Sequence, residues 1–78
     1  MKKFLINKLE IKDLRLDKWL KVNFSSLNQS FIEKNLRKGN IKVNNKKKIS
    51  KYKLQINDEV IIFNYSDETY KNIIKQFS

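Results

Sequence analysis

Lys34-Asn35-Leu36-Arg37-Lys38-Gly39-Asn40-Ile41-Lys42-Val43-Asn44-Asn45 packs a helix stop, a strand and a tight turn into one short stretch. Upstream, Ile32 and Leu36 stand four residues apart, as one face of a helix requires. Gly39 is the only glycine in the chain. It follows Lys38 at the point where a left-handed residue ends a helix. Lys34, Arg37 and Lys38 fall in the last turns, where cations also suit the helix dipole. Ile41-Lys42-Val43 alternates as a strand, and Asn44-Asn45 can turn tightly because Asn tolerates positive φ. From Lys34 to Lys53 there are nine Lys or Arg and no Asp or Glu, against a whole-chain net charge of +10. A field so localised attracts a polyanion, and nucleic acid is the commonest one. Apolar residues at regular spacing inside the same window distinguish it from a disordered basic tail.

Working outward, Asn28 is placed to cap the helix that ends at Lys38. An earlier helix is expected from Leu14 to about Asn23, with Asp13 as its N-cap. Leu16, Trp19, Leu20 and Phe24 form its apolar face, and Arg15, Lys18 and Lys21 the other. Phe4-Leu5-Ile6 and Leu9-Glu10-Ile11 read as a short extended lead-in. Downstream, Ile49, Tyr52 and Leu54 suggest a return segment after the Asn44-Asn45 turn, and Val60–Phe63 a further strand after an Asn57-Asp58 turn. Ser66 then caps an expected amphipathic C-terminal helix with Tyr70, Ile73, Ile74 and Phe77 on one face. The expectation is an α+β fold: two packed helices followed by a small antiparallel sheet. Its parts are a lead-in (1–13), the main domain (14–63), and a final helix or linker (64–78).

At 78 residues the chain has room for one small domain with a thin core. It has neither cysteine nor histidine. Disulfides and thiolate metal sites are therefore excluded, and the commonest general base is missing. The eight acidic residues are scattered, and no set of side chains suggests a catalytic centre, a metal or a cofactor. The apolar stretch Phe4-Leu5-Ile6 stops after three residues at Asn7-Lys8, too short for a signal peptide, and no segment is long enough to span a membrane. A soluble intracellular protein is the default expectation.

Four blocks carry a resemblance: Arg15-Leu16-Asp17-Lys18-Trp19-Leu20; Leu27-Asn28-Gln29-Ser30 opening a helix; Arg37-Lys38-Gly39-Asn40-Ile41-Lys42-Val43-Asn44; and Asn57-Asp58-Glu59-Val60. Together they resemble the S-four RNA-binding domain, named for ribosomal small-subunit protein four, over Leu14 to Phe63. Within that family the chain is most similar to the N-terminal domain of large-subunit ribosomal RNA pseudouridine synthases of the RluA/RluC type. The lead-in before Arg15, Leu36-Arg37-Lys38-Gly39 and Tyr52-Lys53-Leu54 carry the closer likeness. Free-standing S-four proteins of the heat-shock and ribosome-quality-control types have the same core spacing and remain the alternative. The resemblance implies a cytoplasmic module that binds structured RNA, in particular large-subunit ribosomal RNA, with no membrane and no small-molecule substrate. It departs from the pattern at Gln29, where Arg is common, and at Asn45 and Asn57, where Gly is usual. In these synthases the catalytic Asp lies in a His-Arg-Leu-Asp motif. Here Arg15-Leu16-Asp17 follows Leu14 and opens a helix, so Asp17 is not that residue.

The implied RNA-binding residues are Arg15, Lys18, Ser30, Lys34, Arg37, Lys38, Lys42, Lys46, Lys47 and Lys53. Simpler roles stand beside these. Arg15 could pair with Asp17 or Glu33, worth roughly 0–1 kcal/mol if exposed. Ser30 could be a second capping hydroxyl, and part of the lysine set only a solvated face. Trp19 is expected in the core rather than as a stacking platform, and Tyr52 packed beneath the hairpin. A polybasic adaptor for acidic lipid surfaces is a third reading. It fits less well, because the cations surround two helices and a hairpin rather than one amphipathic face.

Overall fold

A computed structural model describes residues 1–70 and contains, in chain order, β1 (Lys2–Leu5), α1 (Leu16–Asn23), α2 (Gln29–Lys38), β2 (Ile41–Val43) and β3 (Glu59–Ile62). The three strands form one antiparallel sheet in the order β1-β3-β2. The class is therefore α+β, as expected, with one correction: the sheet does not simply follow the helices. The lead-in supplies an edge strand, with Lys3 opposite Ile61 and Phe4 opposite Val60.

One face of the sheet and the apolar stripes of both helices enclose the core. Val60 and Ile62 of β3, Ile41 and Val43 of β2, Leu16 and Leu20 of α1, and Ile32 and Leu36 of α2 are all buried. At one side Phe4, Trp19, Phe24, Tyr65 and Tyr70 pack as an aromatic cluster, mostly edge to face. Such pairs add to the area buried. Trp19 sits half-buried against this cluster, in keeping with a core role. The expected C-terminal helix, with Ile73, Ile74 and Phe77, lies outside the described residues. Ahead of Ile73, residues 67–69 form a turn in which the Thr69 amide donates to Ser66 Oγ at 3.3 Å.

Helix α2 is built as its sequence indicates. The Asn28 side chain accepts from the Phe31 amide at 2.8 Å. Gly39 is left-handed at φ 81°, and the Asn40 and Gly39 amides return to the carbonyls of Asn35 and Leu36. That is a Schellman stop. The next turn also follows the sequence, with Asn44 at φ 52° and Asn45 at φ 67°.

Helix α1 begins later than expected. Asp13 is not its cap: it occupies a left-handed turn at φ 57°, and the helix starts at Leu16 with Arg15 as an extended N-cap residue. The free amides are satisfied from elsewhere. Leu16 N–H donates to Tyr52 O at 2.8 Å and Asp17 N–H to Ser50 O at 3.1 Å. Lys18 N–H donates to the Asp17 carboxylate at 2.7 Å.

The same contacts explain a second correction. The return segment around Ile49, Tyr52 and Leu54 is not a strand beside β2. The hairpin closes only between Val43 and Lys46, and the chain then crosses to α1, where Leu54 N–H meets Leu14 O and Arg15 bridges Lys53. Its backbone is committed to the start of α1 and is not free to extend the sheet. Leu54 is buried, whereas Ile49 is 70% exposed.

Candidate nucleic-acid interface

Two carboxylates anchor the scaffold beneath the cationic surface. Asp17 is 6% exposed. It accepts from Arg15 Nε and a terminal guanidinium nitrogen at 3.1 and 2.8 Å, and from Gln29 Nε2 at 3.3 Å. Burial pushes its carboxyl pKa up, but the hydrogen bonds from Arg15, Gln29 and the Lys18 amide outweigh that and hold it below the ordinary value. Asp58 joins the hairpin to the segment that follows it. It accepts from Tyr52 Oη at 2.7 Å, the Gln55 amide at 2.9 Å and Asn44 Nδ2 at 2.9 Å. Here too burial raises the pKa, and the hydrogen bonds, Tyr52 foremost, bring it down. The Tyr52 hydroxyl is correspondingly pushed up. Tyr52 is thus packed and half-buried.

Gln29 has a role the sequence did not disclose. Its contact with Asp17 ties the second helix to the first, and it also donates to Glu33 Oε2 on its own helix at 2.7 Å. The Ser50 hydroxyl, followed by Gln29, holds the Glu33 carboxyl below its ordinary pKa. An Arg at position 29 would add a charge. The Gln supplies neutral donors to a structural network instead.

Over this scaffold the expected residues separate into groups. Arg15 and Lys18 line a groove of about 500 Å³ together with Lys21 and Gln29. Arg15 is half-exposed at 46% of its side chain and paired with Asp17, so the simpler role is real while part of the guanidinium still faces solvent. Arg37 and Lys47 line a second groove of about 370 Å³ with Lys48. Lys42 and Lys47 lie across Gly39, close enough that a Cβ there would come within 3.4 and 2.9 Å of their Cε atoms. The structure therefore gathers Arg37, Lys42 and Lys47 around the end of α2. Ser30, Lys34 and Lys38 are exposed on α2 outside that cluster, and the capping role falls to Asn28 rather than Ser30. Lys46 is exposed in the hairpin. Lys53 lies apart, lining a hollow with Lys12 and the acidic Glu10 and Asp13.

Two cations omitted from the expected set belong to the grooves. Lys21 follows Lys18 by three residues, a helical spacing that was visible in the sequence. Lys48 is held with its Nζ 4.8 Å above the Tyr52 ring, a tertiary contact that no local pattern announces.

Among the described residues the ion pairs are Lys8–Glu10 and Arg15–Asp17. The nine cations from Lys34 to Lys53 therefore make no carboxylate pair there. No group of three or more His, Cys, Asp or Glu could hold a metal among the described residues, and no helix there is long and apolar enough to cross a membrane. Compared with known proteins, the chain matches no family model, no curated sequence and no solved structure at a significant level.

Proposed function

We propose that this chain is an S-four-type RNA-binding module that docks on structured ribosomal RNA through α1, the end of α2 and the 42–48 hairpin. The reading extends to a role in engaging large-subunit ribosomal RNA for a pseudouridine synthase in the cytoplasm, with the chemistry carried outside these residues. The sequence blocks that resemble the S-four domain support it, and so does the incorporation of the lead-in strand into the same small sheet. The observation that carries the RNA-binding reading is the cluster of Arg37, Lys42 and Lys47 around Gly39, with no carboxylate pairing them among the described residues. Cations without carboxylate partners among the described residues, held on short elements over a packed core, form a phosphate-binding face. Binding would come from counterion release and from the shape of folded RNA rather than from groove-edge reading of a duplex.

The test is fluorescence anisotropy with a ribosomal RNA stem–loop and a DNA duplex of equal length, across a salt series. Wild type is compared with Arg37→Ala/Lys47→Ala, whose folding is checked by circular dichroism. The expected result is a preference for RNA and a slope of log K against log salt that falls by roughly 1.4–1.8 in the double variant, the loss of two phosphate contacts. Equal binding to both nucleic acids, with the slope unchanged in the folded variant, would reject the assignment.

A further inference from the structure

Glu33 is the one carboxylate lining the groove between α2 and the 47–49 segment, where Arg37, Lys47 and Lys48 supply the charge and Leu36 and Ile49 the apolar wall. Arg37 lies four residues after Glu33 on the same helix, the favoured order for a Glu–Arg ion pair. That pair is not formed. Neutral donors hold the carboxylate instead: Gln29 Nε2 at 2.7 Å and the Ser50 hydroxyl. The group is thus oriented by its own scaffold, remains ionised, and leaves the neighbouring guanidinium unspent. Beside it Ile49 is 70% exposed, although its neighbour Ser50 is buried.

An anionic acceptor, three cations and an exposed apolar surface within one groove match a ligand with the same three parts. A nucleotide has them: phosphate oxygens for Arg37, Lys47 and Lys48, a flat ring to lie against the exposed Ile49, and N–H groups on the base edge for Glu33. Of the four RNA bases, only guanine presents two adjacent N–H donors, N1–H and the N2 amino group, on its Watson–Crick edge. A carboxylate accepts both at once, and such bidentate charge-assisted pairs are the strong ones. That edge is open only in an unpaired nucleotide, the usual target of sequence-specific RNA recognition. Building on the RNA-binding reading, we propose that the groove of Glu33, Arg37, Lys47, Lys48 and Ile49 is a subsite for an unpaired guanosine of the bound RNA. Glu33 reads the base and the cations hold the adjoining phosphates.

The experiment measures binding of stem–loop RNAs with A-rich loops, in which a guanosine, inosine or uridine is placed at each loop position in turn. Inosine keeps N1–H and lacks the N2 amino group. The wild-type chain is compared with Glu33→Gln, whose amide oxygen can still accept from Gln29 and Ser50, and with Ile49→Ala at an exposed position. The expected result is a loop position where guanosine binds at least about fivefold more tightly than uridine, the low end for one good bidentate base contact, with inosine between them. Glu33→Gln should lose that preference while binding the all-adenosine loop as well as or better than wild type, because a negative charge has left a positive groove. Ile49→Ala should weaken the guanosine loop more than the all-adenosine loop. Tight binding of every RNA without base preference, or a preference that survives Glu33→Gln, would overturn the guanosine subsite and leave the RNA-binding reading standing. Failure to bind any stem–loop would reject both.

Discussion

Replacing Asp58 with Ala should cost this domain a large share of its stability, because the residue ties the 42–48 hairpin, through Asn44, to the segment that follows it. Asp58 is 7% exposed and accepts three hydrogen bonds, from Tyr52 Oη, the Gln55 amide and Asn44 Nδ2. A hydrogen bond to a charged group contributes roughly 1.5–3 kcal/mol. The low end fits Tyr52 and Gln55, whose donors can be partly rehydrated, and exposed Asn44 adds less than about 1 kcal/mol. The expected loss is therefore about 3–4 kcal/mol. At roughly 0.05–0.15 kcal/mol per residue, a chain of this length has only ~4–12 kcal/mol in all. For a domain of this size the loss corresponds to a Tm lowered by roughly 12–30 °C. The single tryptophan, Trp19, lies in the aromatic cluster and provides a fluorescence signal for thermal and urea unfolding. Tyr52→Phe should cost about 1–1.5 kcal/mol. The double variant should fall short of the sum of the two, because both remove the same bond. An Asp58→Ala protein within about 1 kcal/mol of wild type, or an additive double-variant cycle, would refute the view that this carboxylate organises the hairpin.

Gly39→Ala should destabilise the chain by about 1 kcal/mol or more, since a left-handed Ala is strained and its Cβ displaces the Lys47 and Lys42 side chains; Gly39→Asn should cost less, and equal urea midpoints for all three would contradict the Schellman geometry. Stability should be level through the neutral range and fall in acid. Asp17 and Asp58 have folded pKa values below the ordinary 3.8, so their contribution is complete above that value and is lost as the pH drops through the lower folded values. Urea unfolding at stepped pH tests this, and Asp58→Asn should flatten the acid limb; a wild-type curve level down to pH ~2 would refute it.

What could be read in advance was what the chain encodes within a few residues. Asn28, the Ile32–Leu36 spacing and Gly39 each act on their own neighbourhood, and the observed helix keeps to them. The two asparagines at 44 and 45 likewise carry the turn wherever the strands go. Helix α1 is the contrasting case. Asp13 has the chemistry of a cap, but the carbonyls of Ser50 and Tyr52 arrive from the far side of the domain and cap the helix further on. No local pattern specifies that arrival. The pairing of β1 with β3 joins opposite ends of the described chain and was equally out of reach. At the site, net charge marked the cationic stretch from Lys34 to Lys53. The partition of those cations into grooves depended on how the 46–54 segment crosses α1, which the sequence showed only as an apolar alternation.

That partition gives the cations different work. Arg15 has five N–H donors, and Asp17 engages two of its nitrogens. The pair largely cancels its charge at long range, so Arg15 adds little to the field that would attract the proposed RNA. It also fixes the guanidinium before any ligand arrives, and a donor already held in place loses less entropy on binding. Arg37, Lys42 and Lys47 are the reverse: their charge is uncompensated by any carboxylate pair among the described residues, and the Lys42 ammonium rests instead 5.3 Å over the Phe63 ring. Attraction and orientation therefore reside in different residues. On the proposed RNA-binding reading, the +10 chain would capture a polyanion through the end of α2 and the hairpin, while the Asp17–Gln29–Glu33 network would set the geometry in which it is held.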